Sequence, residues 1–104
     1  MNIKQLQDLF HASASNIKWA KHCLERMQER DISINDVESC LETGEIIEYY
    51  PDDFPHPSCL IFGYTKTNKI LHIVVGSDNS SLFFITAYFP NTDKFENDLK
   101  TRRR

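Results

Sequence analysis

Residues 70–89 read ILHIVVGSDNSSLFFITAYF, and the parsing of this stretch decides the fold. Ile70 to Gly76 and Leu82 to Phe89 are rich in β-branched and aromatic residues, which suit a pleated surface better than a helix. Between them, Ser77-Asp78-Asn79-Ser80-Ser81 is a cluster of turn formers whose short side chains hydrogen-bond their own backbone. A connection this short predicts an antiparallel hairpin, because a parallel pair needs a crossover of about a dozen residues or more. Pro90, which has no N–H to donate, ends the second strand.

Upstream, a Thr67-Asn68 turn joins the hairpin to a strand over about Cys59 to Thr65. The loop 51–58 before it holds Pro51, Pro55 and Pro57, which keep it from regular structure, and Glu45 to Tyr50 is the first of four strands. N-terminal to Gly44 the pattern becomes helical. Ser33 is a cap for a helix over about Ile34 to Thr43, with Val37 and Leu41 on one face and Gly44 placed for a left-handed C-terminal turn. The stretch Ser13 to Asn16 offers caps for a longer helix from about Ile17 to Asp31, whose wheel gathers Ile17, Ala20, Leu24 and Met27 into a core stripe. Ile3, Leu6, Leu9 and Phe10 predict a short first helix, and Thr92 to Leu99 a last turn or two. The expectation is an α+β domain, helices covering one face of a four-stranded antiparallel sheet.

At 104 residues the chain is the size of one domain, read as residues 1–104. Residues 1–15 form an N-terminal helix and linker, and 16–104 the α+β core. With no apolar run long enough to cross a bilayer and no signal-peptide pattern, no membrane association is expected and a cytoplasmic location follows by default. Cys23, Cys40 and Cys59 are odd in number and widely spaced, so they read as core-side thiols rather than disulfides or metal ligands. Asp52, Asp53 and His56 match no calcium loop or regular zinc site, so no metal is assigned. The absence of a Gly-rich phosphate loop, nucleophile elbow and Cys-x-x-Cys pair leaves no cofactor to assign. A net charge of −3 argues against broad nucleic-acid affinity. Local basic density remains, in Lys18, Lys21, Arg26 and Arg30, and in Arg102 to Arg104.

Two groups of residues carry potential chemistry. In the hairpin, pairing Gly76 with Leu82 sets His72 across from Thr86 with Tyr88 on the diagonal, all on one face; a slip of two preserves that sharing and a slip of one destroys it. In the second helix, His22 and Arg26 stand four residues apart on one surface, with Trp19 and Arg30 at its edge, an arrangement suited to an anion. Each has a structural counterpart. His72 can be a half-buried residue satisfied by a cross-strand hydroxyl, the helix surface can be the solvated side of an amphipathic helix, and Trp19 can be a packing residue.

The run from Trp19 through His22, Arg26, Met27, Arg30, Ile32 and Ser33, then Asp36-Val37 and Gly44 to Pro51, resembles the bacterial domain of unknown function numbered 4258. So do Leu71 to Val75 and Ile85 to Pro90, so that the resemblance spans about Trp19 to the C-terminus, with Met1 to Lys18 outside it. It implies kinship with the barnase, EndoU, colicin and RelE-like ribonucleases, whose fold is helices followed by a four-stranded antiparallel sheet. Some members resemble the toxins of toxin–antitoxin pairs. The resemblance thus implies a toxin-like, metal-independent endoribonuclease in which a 2′-hydroxyl attacks the adjacent phosphate. His72 would be base or acid, His22 or Tyr88 would handle the other proton, and Thr86 would orient His72. Arg26 and Arg30 would hold phosphate oxygens, with Trp19 beside the substrate. RNA and a protein antitoxin are the partners so implied. The rival reading is a non-catalytic interaction module on the same fold. A single cleft uniting the helix surface with the His72 face is the geometric condition for the enzyme.

Overall fold

In the computed structural model, residues 1–12 and 16–104 are described. The elements run α1 (Ile3–Ala12), β1 (Ile17–Trp19), α2 (Lys21–Glu29), α3 (Ile34–Thr43), β2 (Glu45–Tyr50), β3 (Ser58–Tyr64), β4 (Ile70–Ser77) and β5 (Leu82–Tyr88). The five strands form one mixed sheet in the order β1-β5-β4-β3-β2. Antiparallel pairing holds from β2 to β5, and β1 lies parallel to β5 with Ile17 opposite Leu82. The expected four-stranded antiparallel sheet is therefore present, but extended by a fifth, parallel strand.

That strand comes from residues expected to begin a long helix. The chain is extended at Ile17 to Trp19, and α2 starts only at Lys21, behind Ala20, which gives no side-chain cap. Ser13, Ala14 and Ser15, expected as caps, lie outside the described residues. The core stripe changes accordingly. Cys23 and Met27 are the buried positions of α2, Leu24 is exposed and Ile17 belongs to the sheet. For α3 the expectation holds, with a capping box in which Ser33 Oγ accepts from the Asp36 N–H and Asp36 accepts from the Ser33 N–H. Gly44 ends it in extended rather than left-handed backbone. Its small size is what the site uses, since a Cβ there would lie 2.5 Å from the Cys40 carbonyl oxygen.

The helices cover one face of the sheet. Cys59 and Ile61 of β3, Leu71, Ile73 and Val75 of β4, and Leu82, Phe84 and Ala87 of β5 meet Leu6, Cys23, Met27, Val37, Cys40 and Leu41 in one core. Gly63 lets α3 approach, because any Cβ there would fall inside the Cys40 backbone. All three cysteines are free and buried. The other face carries Glu48, Leu60, Phe62, His72, Val74, Thr86 and Tyr88, alternating with the core residues. Residues 90–104 lie across that face as a strap. They hold no helix, contrary to the turn expected over Thr92 to Leu99, and fold back through a single bridge between Phe95 and Arg102. No helix among the described residues is long and apolar enough to cross a membrane.

Two bulges decide which residues reach the strap-covered face. On β2, Ile46 pairs with Ile61 and Glu48 with Leu60, so the extra residue Ile47 turns Glu48 away from the core that Ile46 faces. On β5, Phe84 pairs with Val75 and Thr86 with Val74, so Ile85 does the same for Thr86 and Tyr88.

Candidate functional site

His72 sits directly across from Tyr88, rather than from Thr86 as the simplest hairpin register suggests. The turn shifts the pairing by one, Gly76 facing Phe83, and the Ile85 bulge shifts it by one more. The sum is a slip of two, so His72, Thr86 and Tyr88 share a face as expected. Thr86 lies opposite Val74, and both ring nitrogens of His72 are held by other groups, which removes its expected role of orienting the histidine.

Those groups define the tautomer. His72 Nε2 is 2.7 Å from the Leu99 carbonyl oxygen, which can only accept, so Nε2 carries the proton. Nδ1 is 3.3 Å from the Tyr88 hydroxyl, and in the neutral ring it accepts from that hydroxyl. Phe95 meets the imidazole edge-on at 4.7 Å, Phe62 packs from β3, and the ring is wholly shielded from solvent. Burial lowers the His72 pKa and raises that of Tyr88, so the pair is neutral at neutral pH.

Beside this pair, Glu48 on β2 accepts a bidentate contact from Arg102 of the strap, Nε at 3.1 Å and Nη2 at 3.0 Å. The Tyr50 hydroxyl donates to the same carboxylate at 2.5 Å. Arg102 holds the Glu48 carboxyl below its ordinary range, while burial and then the Glu48 contact push Tyr50 up to about 12. Between these groups opens a cleft of about 600 Å³. Val74, Tyr88 and Tyr50 lie along its sheet side, Lys94, Phe95 and Arg102 of the strap form one wall, and Arg30 reaches in from the end of α2. Arg30 can do so because β1 pairs with β5 only as far as Phe84. Beyond it the outer edge of β5 is open, and Arg30 Nη1 donates to the Ala87 carbonyl at 2.8 Å.

His22 and Arg26 do not reach this cleft. They project from the solvent side of α2, His22 with its side chain 86% exposed beside Glu25 and Arg26 paired with Glu29 at 3.0 Å. Since α2 packs on the helix-covered face and His72 points from the opposite one, the single site expected to unite them is not formed. Trp19 stacks on Phe84 at 4.3 Å, a packing role on the core side. Of the helix residues singled out from sequence, Arg30 alone joins Tyr88 at the cleft. Tyr50, Lys94 and Arg102 were not singled out individually. The alternation of Glu48 with Tyr50 on one strand and the terminal arginine run were their only traces.

Residues 19–89 match the model of a family described as Domain of unknown function (DUF4258). The chain belongs to this family. The DUF4258 unit thus runs from the last residue of β1 to just past β5, and holds the whole His72–Tyr88 pair, Glu48, Tyr50 and Arg30. Lys94, Phe95, Leu99 and Arg102 lie beyond it, on the strap. No curated protein and no solved structure matches the chain.

Proposed function

We propose that the chain is a metal-independent endoribonuclease, toxin-like in action, whose site is the cleft over Tyr88. The observation that carries this reading is the meeting of a buried imidazole–tyrosine pair with three cationic side chains, Arg30, Lys94 and Arg102, in one cleft. With its proton committed to His72 Nδ1, the Tyr88 oxygen offers lone pairs to the cleft. A 2′-hydroxyl placed there passes its proton to Tyr88 as Tyr88 passes its own to His72, and the freed oxygen attacks the adjacent phosphorus. The 5′-oxygen leaves and takes a proton from solvent, giving a 2′,3′-cyclic phosphate. Arg30, Lys94 and Arg102 counter the charge of the phosphorane. His72 is thereby a base acting through Tyr88, and a depressed pKa keeps it unprotonated and ready near neutrality.

The test is cleavage of a fluorogenic RNA by the purified protein in the presence of a chelator. Tyr88→Phe is expected to lower the rate by about 100-fold or more, the scale of positioned acid–base catalysis, and the all-deoxy oligonucleotide is expected to stay intact. Equal rates for Tyr88→Phe and wild type, or cutting of the deoxy strand, would sink the reading. A non-catalytic interaction module is the second reading, favoured by the net charge of −3 and by the occupation of Arg102 by Glu48. Under the enzyme reading, expression without a protein antitoxin arrests growth and Tyr88→Phe relieves the arrest. Under the module reading, expression is harmless.

A further inference from the structure

Besides the Phe95 ring packed on His72, the strap makes two kinds of polar contact with the DUF4258 unit, and they converge on the same site. Along its outer part the contacts are ionic and solvent-exposed: Lys100 with Glu45 at 2.5 Å, Arg102 with Glu48, and Arg103 with Glu96 within the strap itself. At its inner side a backbone atom enters the interior, the Leu99 carbonyl oxygen, 2.7 Å from His72 Nε2. Leu99 reaches it with φ at 58°, the left-handed region that strains a bulky residue and persists only where surroundings enforce it. Its own N–H is tied to the Glu96 carbonyl, and the Glu96 N–H to the Thr101 carbonyl, so the turn presenting that oxygen is closed on both sides.

We infer that residues 90–104 complete the site, the Leu99 carbonyl acting as the positioning group that fixes His72 in the Nε2-protonated form while the same segment brings Lys94 and Arg102 to the cleft. The deduction rests on the reading of Tyr88 and His72 as a proton relay and says how that relay is oriented. Without an acceptor at Nε2 the neutral ring is free to carry its proton on Nδ1, and then it can no longer accept from Tyr88. A backbone carbonyl does here what a buried carboxylate does for the histidine of a hydrolase triad. The charged and titratable groups around the ring are Tyr88 on β5, Glu48 on β2 and Arg102 on the strap, while β3 offers Phe62. Glu48 and Arg102 pair with each other, which leaves Leu99 and Tyr88 as the partners of the ring.

Two substitutions of one residue separate this role from mere packing. Leu99→Gly keeps the backbone oxygen and suits a positive φ, whereas Leu99→Pro, locked near a φ of about −65°, swings the carbonyl away and removes the N–H bonded to Glu96. The readout is the His72 tautomer in long-range ¹H–¹⁵N spectra, together with amide hydrogen exchange of Glu96 and Arg103, both without RNA. Wild type and Leu99→Gly are expected to show the Nε2–H form. Leu99→Pro is expected to lose it, with exchange at Glu96 and Arg103 at least about tenfold faster and the amides of β3 and β4 unchanged. An Nδ1–H tautomer in wild type, or a Leu99→Pro protein with tautomer and exchange unaltered, would overturn the inference. Since neither readout uses cleavage, an inactive wild type would refute the ribonuclease and leave this result to stand or fall by itself.

Discussion

His72 commits both ring nitrogens inside the protein, one to a hydroxyl and one to a main-chain oxygen, and this makes its protonation a matter of stability. Burial lowers its pKa in the folded state, whereas the unfolded chain takes up a proton near the ordinary value of 6.5. As pH falls through 6.5 the unfolded state therefore gains protons first, and stability declines until pH has passed through the folded pKa. Glu48, depressed by Arg102, adds a second loss of the same sign that begins near its ordinary 4.5. Urea midpoints are expected to fall between about pH 7.5 and pH 5, where the histidine dominates, and His72→Gln should flatten this first phase and keep the second. A flat wild-type midpoint over that range would contradict the burial of a neutral imidazole. From sequence, the polar character of His72 amid apolar neighbours was enough to mark it. Its partner was not readable, because Leu99 lies on the strap and contributes a backbone atom, which no side-chain pattern announces.

At the level of elements, the two bulges determine which side chains face the cleft. Period-two alternation alone would put Leu82, Phe84, Thr86 and Tyr88 on one face; the extra residue at Ile85 sends the first pair to the core and the second to the strap-covered face, where Tyr88 reaches the cleft. Deleting Ile85 is therefore expected to force either Leu82 and Phe84 out of the core or Tyr88 into it. The expected cost is about 3 kcal/mol or more, the burial of one or two large apolar side chains. Ile85→Ala, at a partly exposed position, should cost far less, and the comparison of urea denaturation curves checks it. Similar losses for the two would mean the bulge does not set the facing. Strand β1 escaped detection for a related reason: three residues are too few to show a period, and Ile17 fits a helical wheel as well as a strand. By contrast α3 was readable to its ends, since a capping serine, an apolar pair four residues apart and a closing glycine mark one span, although Gly44 ends it in extended rather than left-handed backbone.

Across the whole molecule, charge is distributed against its own sum. The chain carries −3, yet the cleft is lined by Arg30, Lys94 and Arg102, of which Arg102 alone is paired with a carboxylate among the described residues. An RNA bound there would displace few counterions, about 0.7 per phosphate neutralised on a single strand. The affinity of the protein for a single-stranded RNA is thus expected to fall with a log–log salt slope near −2, from about three contacts at that rate. Titration at several salt concentrations measures it. A slope several times steeper would place binding on basic residues outside the cleft, such as Lys21, Arg26, Arg103 and Arg104. The α+β layering was legible because it follows from local pattern, whereas the arrangement of the cleft depends on a segment without periodicity, pinned by individual ion pairs.

The parallel pairing of β1 with β5 also bears on how the chain is made. Ile17 is synthesised well before its neighbour Leu82, with α2, α3 and three strands between them. Bringing such distant segments together carries a loop-closure cost that grows only slowly with length, about 0.6 kcal/mol for each doubling, so the obstacle is one of timing. The meander from β2 to β5 can assemble from sequential neighbours, but the outer edge of β5 stays unpaired until β1 returns to cover it from Leu82 to Phe84. During translation that edge is open to any other nascent strand on the same messenger, and the short β1 is the segment that shields its stretch from Leu82 to Phe84.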